Sequence, residues 1–124
     1  MKVTEIAFSA YKVTDVARAR AFYEGVLGLK NDGVHGNPEG VWIEYPIGTQ
    51  TLAITNVQSP WSPSNNGGMV ALEVEYFDQS IKELHAADVK FYLEPFASPI
   101  CHMAIIADPD GNTLCIHRRN DRTS

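Results

Sequence analysis

Cys115 and His117 stand two residues apart in TLCIHRR, the run that follows ADPDGN near the end of the chain. Side chains of an extended strand alternate between faces, so the thiol and the imidazole share one face while Leu114 and Ile116 take the other. Such a pair suits two chemistries. A neighbouring base or cation helps a thiol ionise and attack, and a thiolate with imidazoles also suits a softer metal ion. DPDG reads as a tight turn, because Pro109 fixes its own φ and Asp110 and Gly111 tolerate positive φ. If the hairpin across DPDGN pairs Ile106 with Thr113, Ala104 faces Cys115 and His102 faces His117, which gathers His102, Cys115 and His117. All three come from one hairpin with no fourth ligand from elsewhere. Nothing in the sequence supplies an oxyanion hole or an acid to orient the imidazole. The simpler reading makes Cys115 a small apolar liner and lets His102 and His117 hydrogen-bond a ligand or each other.

The hairpin belongs to a repeated unit. Residues 6–13 alternate as a strand and lead into TDVARARAFYEGVLGL. There Asp15 is placed to cap a helix, Val16, Ala19, Phe22, Tyr23, Val26 and Leu27 form one apolar stripe, and Gly28 ends it. GVWIEYP and TQTLAITNV read as strands divided by Pro46 and Gly48, with a weaker strand signal over residues 29–35. The unit is βαβββ. Residues 58–67, rich in Ser, Pro, Asn and Gly, read as an irregular connector. The pattern then restarts: Val70, Leu72 and Val74 alternate, Asp78 offers a second cap, Ile81 and Leu84 mark a helix face, and VKFYLEP and the CHMAIIADPDGNTLCIHR hairpin supply strands. Val13 matches Val74 and TLAI matches TLCI, a self-similarity at about 61 or 62 residues. The expected organisation is one domain over residues 1–124, with modules at about 1–57 and 68–119.

Three further groups share faces with possible chemistry. Trp42 and Glu44 lie on one strand face opposite Val41, Ile43 and Tyr45. If those three fill the core, Trp42 and Glu44 face a ligand. Trp61 in the connector is placed to fold over a ligand or to pack on a partner subunit. Lys12 and Glu73 occupy matching places near strand ends and are candidates to pair with each other, a contact of about 0 to 1 kcal/mol when exposed. His85, near a helix end, is an exposed residue favoured by the helix dipole.

Composition narrows the function classes. A chain of 124 residues, 44% hydrophobic and 20% charged, is long enough to bury a core. Its net charge is -5, and its one basic cluster is the short tail Arg118, Arg119 and Arg122. Nucleic acid and anionic membrane surfaces are thereby excluded as main partners. MKVTEIAFSAYKV lacks the apolar core of a signal peptide and no run reaches membrane-span length, so the expected location is the cytoplasm. Cys101 and Cys115 are too few for a disulfide framework and are read as reduced thiols.

VTDVARARAFYEGVLGL and ADPDGNTLCI, with the restart between them, resemble the vicinal oxygen chelate superfamily, which includes glyoxalase I, extradiol dioxygenases, fosfomycin resistance proteins and bleomycin-binding proteins. The FYEGVLGL helix end and the DPDGN turn are the specific parts, and the resemblance covers nearly the whole chain. It implies an α+β fold of two βαβββ modules forming an incomplete eight-stranded barrel around a cavity, completed in a homodimer. In the enzymes of this family, His and Glu from four equivalent strand positions hold a divalent metal. Those positions fall here on Phe8, Ala53, Met69 and Cys115. None is His, Asp or Glu, and Phe8, Ala53 and Met69 are useless to a hard or borderline cation. The resemblance therefore implies a member with no metal and no cofactor, which binds a small organic molecule in the cavity or the dimer groove as bleomycin-type binders do. Phe8, Trp42, Met69, His102, Cys115 and His117 are its expected ligand-binding residues. The alternative is a lyase, dioxygenase or thiol transferase working from a displaced site at His102, Cys115 and His117.

Overall fold

A computed structural model describes residues 1–37 and 40–120, so Arg122 of the basic tail lies outside the described residues. The chain divides into two compact units, Met1–Pro63 and Ser64–Ser124. In the first, β1 (Ser9–Lys12) is followed by α1 (Val16–Arg20), a π-helical segment (Ala21–Val26), β2 (Gly33–Asn37), β3 (Gly40–Ile47) and β4 (Gln50–Thr55). The second repeats this with β5 (Val70–Glu73), α2 (Phe77–Ala86), β6 (Phe91–Ala97), β7 (Cys101–Ala107) and β8 (Thr113–Arg119). Each unit carries one four-stranded sheet, ordered β1-β4-β3-β2 and β5-β8-β7-β6. The first strand of each runs parallel to the last, and the other pairs are antiparallel. Val13 N–H donates to Thr55 O at 2.9 Å and Val74 N–H to His117 O at 2.9 Å, so the repeat extends to single hydrogen bonds.

In the first unit Asp15 is the helix cap its type suggests, extended at φ -125°, its carboxylate accepting from Arg18 N–H. The apolar stripe buries Ala19, Phe22 and Tyr23. After Arg20 the helix widens, with Leu27 N–H reaching back five residues to Phe22 O at 2.9 Å. The wider turn leaves both adjacent rings buried, Phe22 edge-on to Tyr23 at 5.1 Å, and Tyr23 stacked on Tyr45 of β3 at 6.1 Å. Gly28, at φ +72°, ends the helical run. Tyr45 O–H donates to Glu24 Oε2 at 2.9 Å, and Arg20 Nε donates to the same oxygen at 2.7 Å. The hydrogen bond from Arg20 holds the Glu24 carboxyl below its usual range, while burial pushes the Tyr45 phenol far up.

Two element boundaries differ from the sequence expectation. β1 begins at Ser9 rather than at residue 6, since its pairing with β4 runs only from Ser9 opposite Leu52 to Lys12 opposite Thr55. Asp78 is not a cap: Tyr76 occupies that position, extended at φ -123°, and Asp78 lies within the first turn. Burial of Phe77, Ile81 and Leu84 sets the start of α2, and Asp78 contributes only its charge near the positive helix end.

The turn between β7 and β8 also departs from expectation. Ala107 pairs with Thr113, so residues 108–112 form the connection and the register differs by one from the Ile106–Thr113 pairing. Asp108 is the reason. Its buried carboxylate accepts from Asp110 N–H and Asn112 N–H through Oδ1, both at 2.9 Å, and from Asn112 Nδ2 through Oδ2 at 2.8 Å. Asn112 in turn accepts from Ser64 N–H at 2.9 Å, and Tyr92 O–H donates to Gly111 O at 2.7 Å. Gly111 alone in this connection has positive φ, at +87°. At the far edge, β6 carries register shifts between Phe91 and Leu93 and between Leu93 and Phe96.

Asp108→Ala leaves three donors in the turn without this acceptor and is expected to cost about 2–4 kcal/mol, measured by urea unfolding. The Glu24 carboxyl sits lower in the folded than in the unfolded chain, so its stabilisation is complete above the ordinary value of 4.5 and declines as pH falls below it. With the Arg20 and Glu24 side chains 39% and 26% exposed, the ion pair itself is worth about 1 kcal/mol or less. Unfolding of Glu24→Gln should accordingly show a shallower loss of stability than the parent between neutral pH and about pH 3.

Candidate functional site

The β7–β8 register decides which hairpin side chains meet. Met103 stands opposite His117 and Ile105 opposite Cys115, while His102 stands opposite Arg118. A shift of one residue moves a side chain to the other face of the sheet, so the expected cluster of His102, Cys115 and His117 does not form. His102 instead packs its ring at 5.7 Å from Phe77 of α2, on the helix side. Cys115 and His117 keep their shared face.

Corresponding rows of side chains cross the two sheets. In the first unit Lys12, Thr55, Trp42 and His35 lie in one row, and Ala10, Ala53, Glu44 and Gly33 in the next. In the second, Glu73, His117, Met103 and Phe96 lie in one row, and Ala71, Cys115, Ile105 and Leu93 in the next. The repeat thus puts Glu73 in the place of Lys12, His117 in that of Thr55, and Cys115 in that of Ala53.

In the first unit the row is aromatic with polar ends. Ile43 and Tyr45 are buried on the helix side, which leaves Trp42 and Glu44 on the opposite face as their alternation requires. Trp42 Nε1 donates to Glu44 Oε2 at 2.9 Å, and Phe8, 50% exposed, meets the indole edge-on at 5.1 Å. Lys12 Nζ donates to Val57 O and to Ser59 Oγ, and it lies 5.3 Å from the centre of the exposed Trp61 ring. His35 went unnoticed in the sequence, since only the β2–β3 register places it opposite Trp42. Its ring lies over Gly33, where a Cβ would stand 2.5 Å from Nε2.

In the second unit the row carries a carboxylate and an imidazole. Glu73 Oε1 lies 2.5 Å from His117 Nδ1, and Oε2 accepts from Arg119 N–H at 2.7 Å. Glu73 is therefore the orienting acid that the sequence did not reveal. Partial burial pushes its carboxyl up, but the Arg119 N–H and His117 hydrogen bonds outweigh this and hold it below its usual range. Lys12 and Glu73 each have hydrogen-bond partners within their own unit. Cys115 is fully buried, its Sγ donating to Ile116 O at 3.7 Å, and burial pushes the thiol pKa up. Met69 is 47% exposed and precedes β5. His85 is exposed, stacked on Phe91 at 4.3 Å and 3.3 Å from Glu94.

The side chains at the four positions where the resemblance would put metal ligands are each poor donors. Phe8 and Ala53 offer carbon, Met69 a thioether, and Cys115 a protonated, buried thiol turned to a carbonyl. Among the described residues no three His, Cys, Asp or Glu side chains gather as a ligand set.

A family model described as Glyoxalase/Bleomycin resistance protein/Dioxygenase superfamily matches residues 6–116. Among solved structures, TnmS3, an antibiotic binding protein from Streptomyces sp. CB03234, is similar at 21% identity and a TM-score of 0.81, over 97% of this chain and 99% of that one. A trypanothione-dependent glyoxalase I of Leishmania major is similar at 20% identity and 0.77, over 94% and 87%. A glyoxalase family protein from Enterococcus faecalis is similar at 24% and 0.72, over 91% and 96%. No curated protein matches the sequence. Likeness at these identities establishes the fold alone.

The burial and raised pKa of Cys115 predict an inert thiol. Iodoacetamide should alkylate it at least about 100-fold more slowly than a small free thiol at neutral pH. Peptide mass spectrometry against time, with and without denaturant, checks this.

Proposed function

From the premise that the chain belongs to the glyoxalase/bleomycin resistance protein/dioxygenase superfamily, we propose that it binds a small organic molecule without a metal, in a cavity or in a groove formed by two copies. One observation carries the reading: a half-exposed Phe8 standing edge-on to Trp42, with the indole N–H held by Glu44. Aromatic walls with a single fixed polar group are what an organic ligand needs for contact area and orientation. The donor chemistry at Phe8, Ala53, Met69 and Cys115 supports the same reading, because none of these groups can polarise a substrate's paired oxygens through a cation. Of the residues expected to touch the ligand, Phe8, Trp42, Met69 and His117 are retained in the proposal. His102 leaves it for the helix side, and Cys115 serves as buried filling.

The enzymatic alternative loses two of its three residues in the same way. Its thiol is protonated and buried, and His102 lies on the other face from His117. A nucleophilic cysteine needs the opposite environment, exposed and electropositive.

Isothermal titration of planar aromatic compounds into chelator-treated protein, with metal content measured by elemental analysis, checks the proposal. Binding without metal is expected, and Trp42→Ala should weaken it about tenfold or more. Retention of one stoichiometric divalent ion that binding requires, or unchanged affinity in Trp42→Ala, would count against it.

A further inference from the structure

The second unit carries a row whose chemistry the first unit lacks. Reading across the sheet from β5 to β6, Glu73, His117, Met103 and Phe96 present a carboxylate, an imidazole, a thioether and a phenyl ring in sequence on one face. The corresponding row of the first unit, Lys12, Thr55, Trp42 and His35, contains no carboxylate.

The Glu73 carboxylate selects the tautomer of the neutral imidazole. With Oε1 at 2.5 Å from Nδ1, the neutral form of the ring carries its proton on Nδ1 and leaves the lone pair on Nε2. Glu73 cannot turn away freely, since its other oxygen is held by Arg119 N–H at 2.7 Å. A carboxylate bound to one ring nitrogen also strengthens the other as an acceptor. Beside it, Met103 and the exposed Phe96 offer a polarisable, flat apolar surface suited to an aromatic ring. Cys115, one row away, donates to Ile116 O rather than to the imidazole.

We infer that Glu73, His117, Met103 and Phe96 form a recognition row for a hydroxylated aromatic ligand, the ring lying on Met103 and Phe96 and its O–H donating to His117 Nε2. Glu73 is a positioning residue in this arrangement. The inference rests on the proposed binding function only in taking the ligand to be organic; it assigns the ligand a phenolic hydroxyl and assigns that hydroxyl a partner.

Two probes separate the hydrogen bond from stacking: 2-naphthol and its methyl ether, 2-methoxynaphthalene, titrated into the full chain. The parent protein should bind 2-naphthol about tenfold more tightly than the ether, which has the same ring and no donor. His117→Gln should erase this ratio. Glu73→Gln should reduce it by weakening 2-naphthol several-fold more than the ether, a split that a merely structural contact would not produce. The parent's ratio is decisive even if a variant fails to fold. Equal affinities, binding of neither probe, or a ratio that survives in folded His117→Gln overturns the inference. Failure here with a retained Trp42-dependent affinity for other compounds leaves the proposed function standing; an intact ratio with unchanged affinities in Trp42→Ala does the reverse.

Discussion

The carboxylate of Asp108 fixes how many residues separate β7 from β8, and through that count it fixes the face taken by every side chain of the hairpin. It is buried, yet its two oxygens accept three hydrogen bonds from the loop they close, so the desolvation cost is met by local donors. A loop shorter by one residue would shift the ladder and exchange its faces. His117 would lose Met103 as its neighbour, and His102 would leave Phe77. The pairing of β5 with β8 then carries the same parity on to Glu73. One anchored turn thus governs a row that spans the sheet.

Duplication gives the two units the same skeleton and different surfaces. The hydrogen bonds Val13–Thr55 and Val74–His117 correspond, as do the parallel pairings Ala10–Ala53 and Ala71–Cys115. On that shared frame the first unit places aromatic rings with Lys12 and Glu44 at their margins, and the second an acid–imidazole pair beside sulfur and phenyl. Backbone pairing constrains the register, not the chemistry of the outward face, so the two faces diverge without disturbing the ladders.

Much of this was legible in the sequence, and the parts that were not have specific physical causes. Asp15 could be read as a cap because an extended residue before a helical stripe satisfies an adjacent backbone donor, which is local information. The βαβββ order, the restart and the facing of Trp42 with Glu44 follow from periodicity alone. His102 could not be placed, since its face depends on one residue more or less in a loop whose closure is a side-chain matter. The Glu73–His117 pair joins residues 44 apart through a parallel pairing, and His35 reaches Trp42 only through the β2–β3 register. Asp78 has a capping side chain but not the capping position, which falls on Tyr76, the residue that the repeat makes equivalent to Asp15. The widened turn after Arg20 has no signature in a pattern of apolar spacing.

The shifts along β6 bear on how copies of this protein can meet. An outermost strand ordinarily offers a run of unpaired backbone groups on which another chain can add itself. Here two interruptions break the even spacing of those groups, and Pro95 removes one donor altogether. The border therefore makes a poor template for a continuous intermolecular ladder.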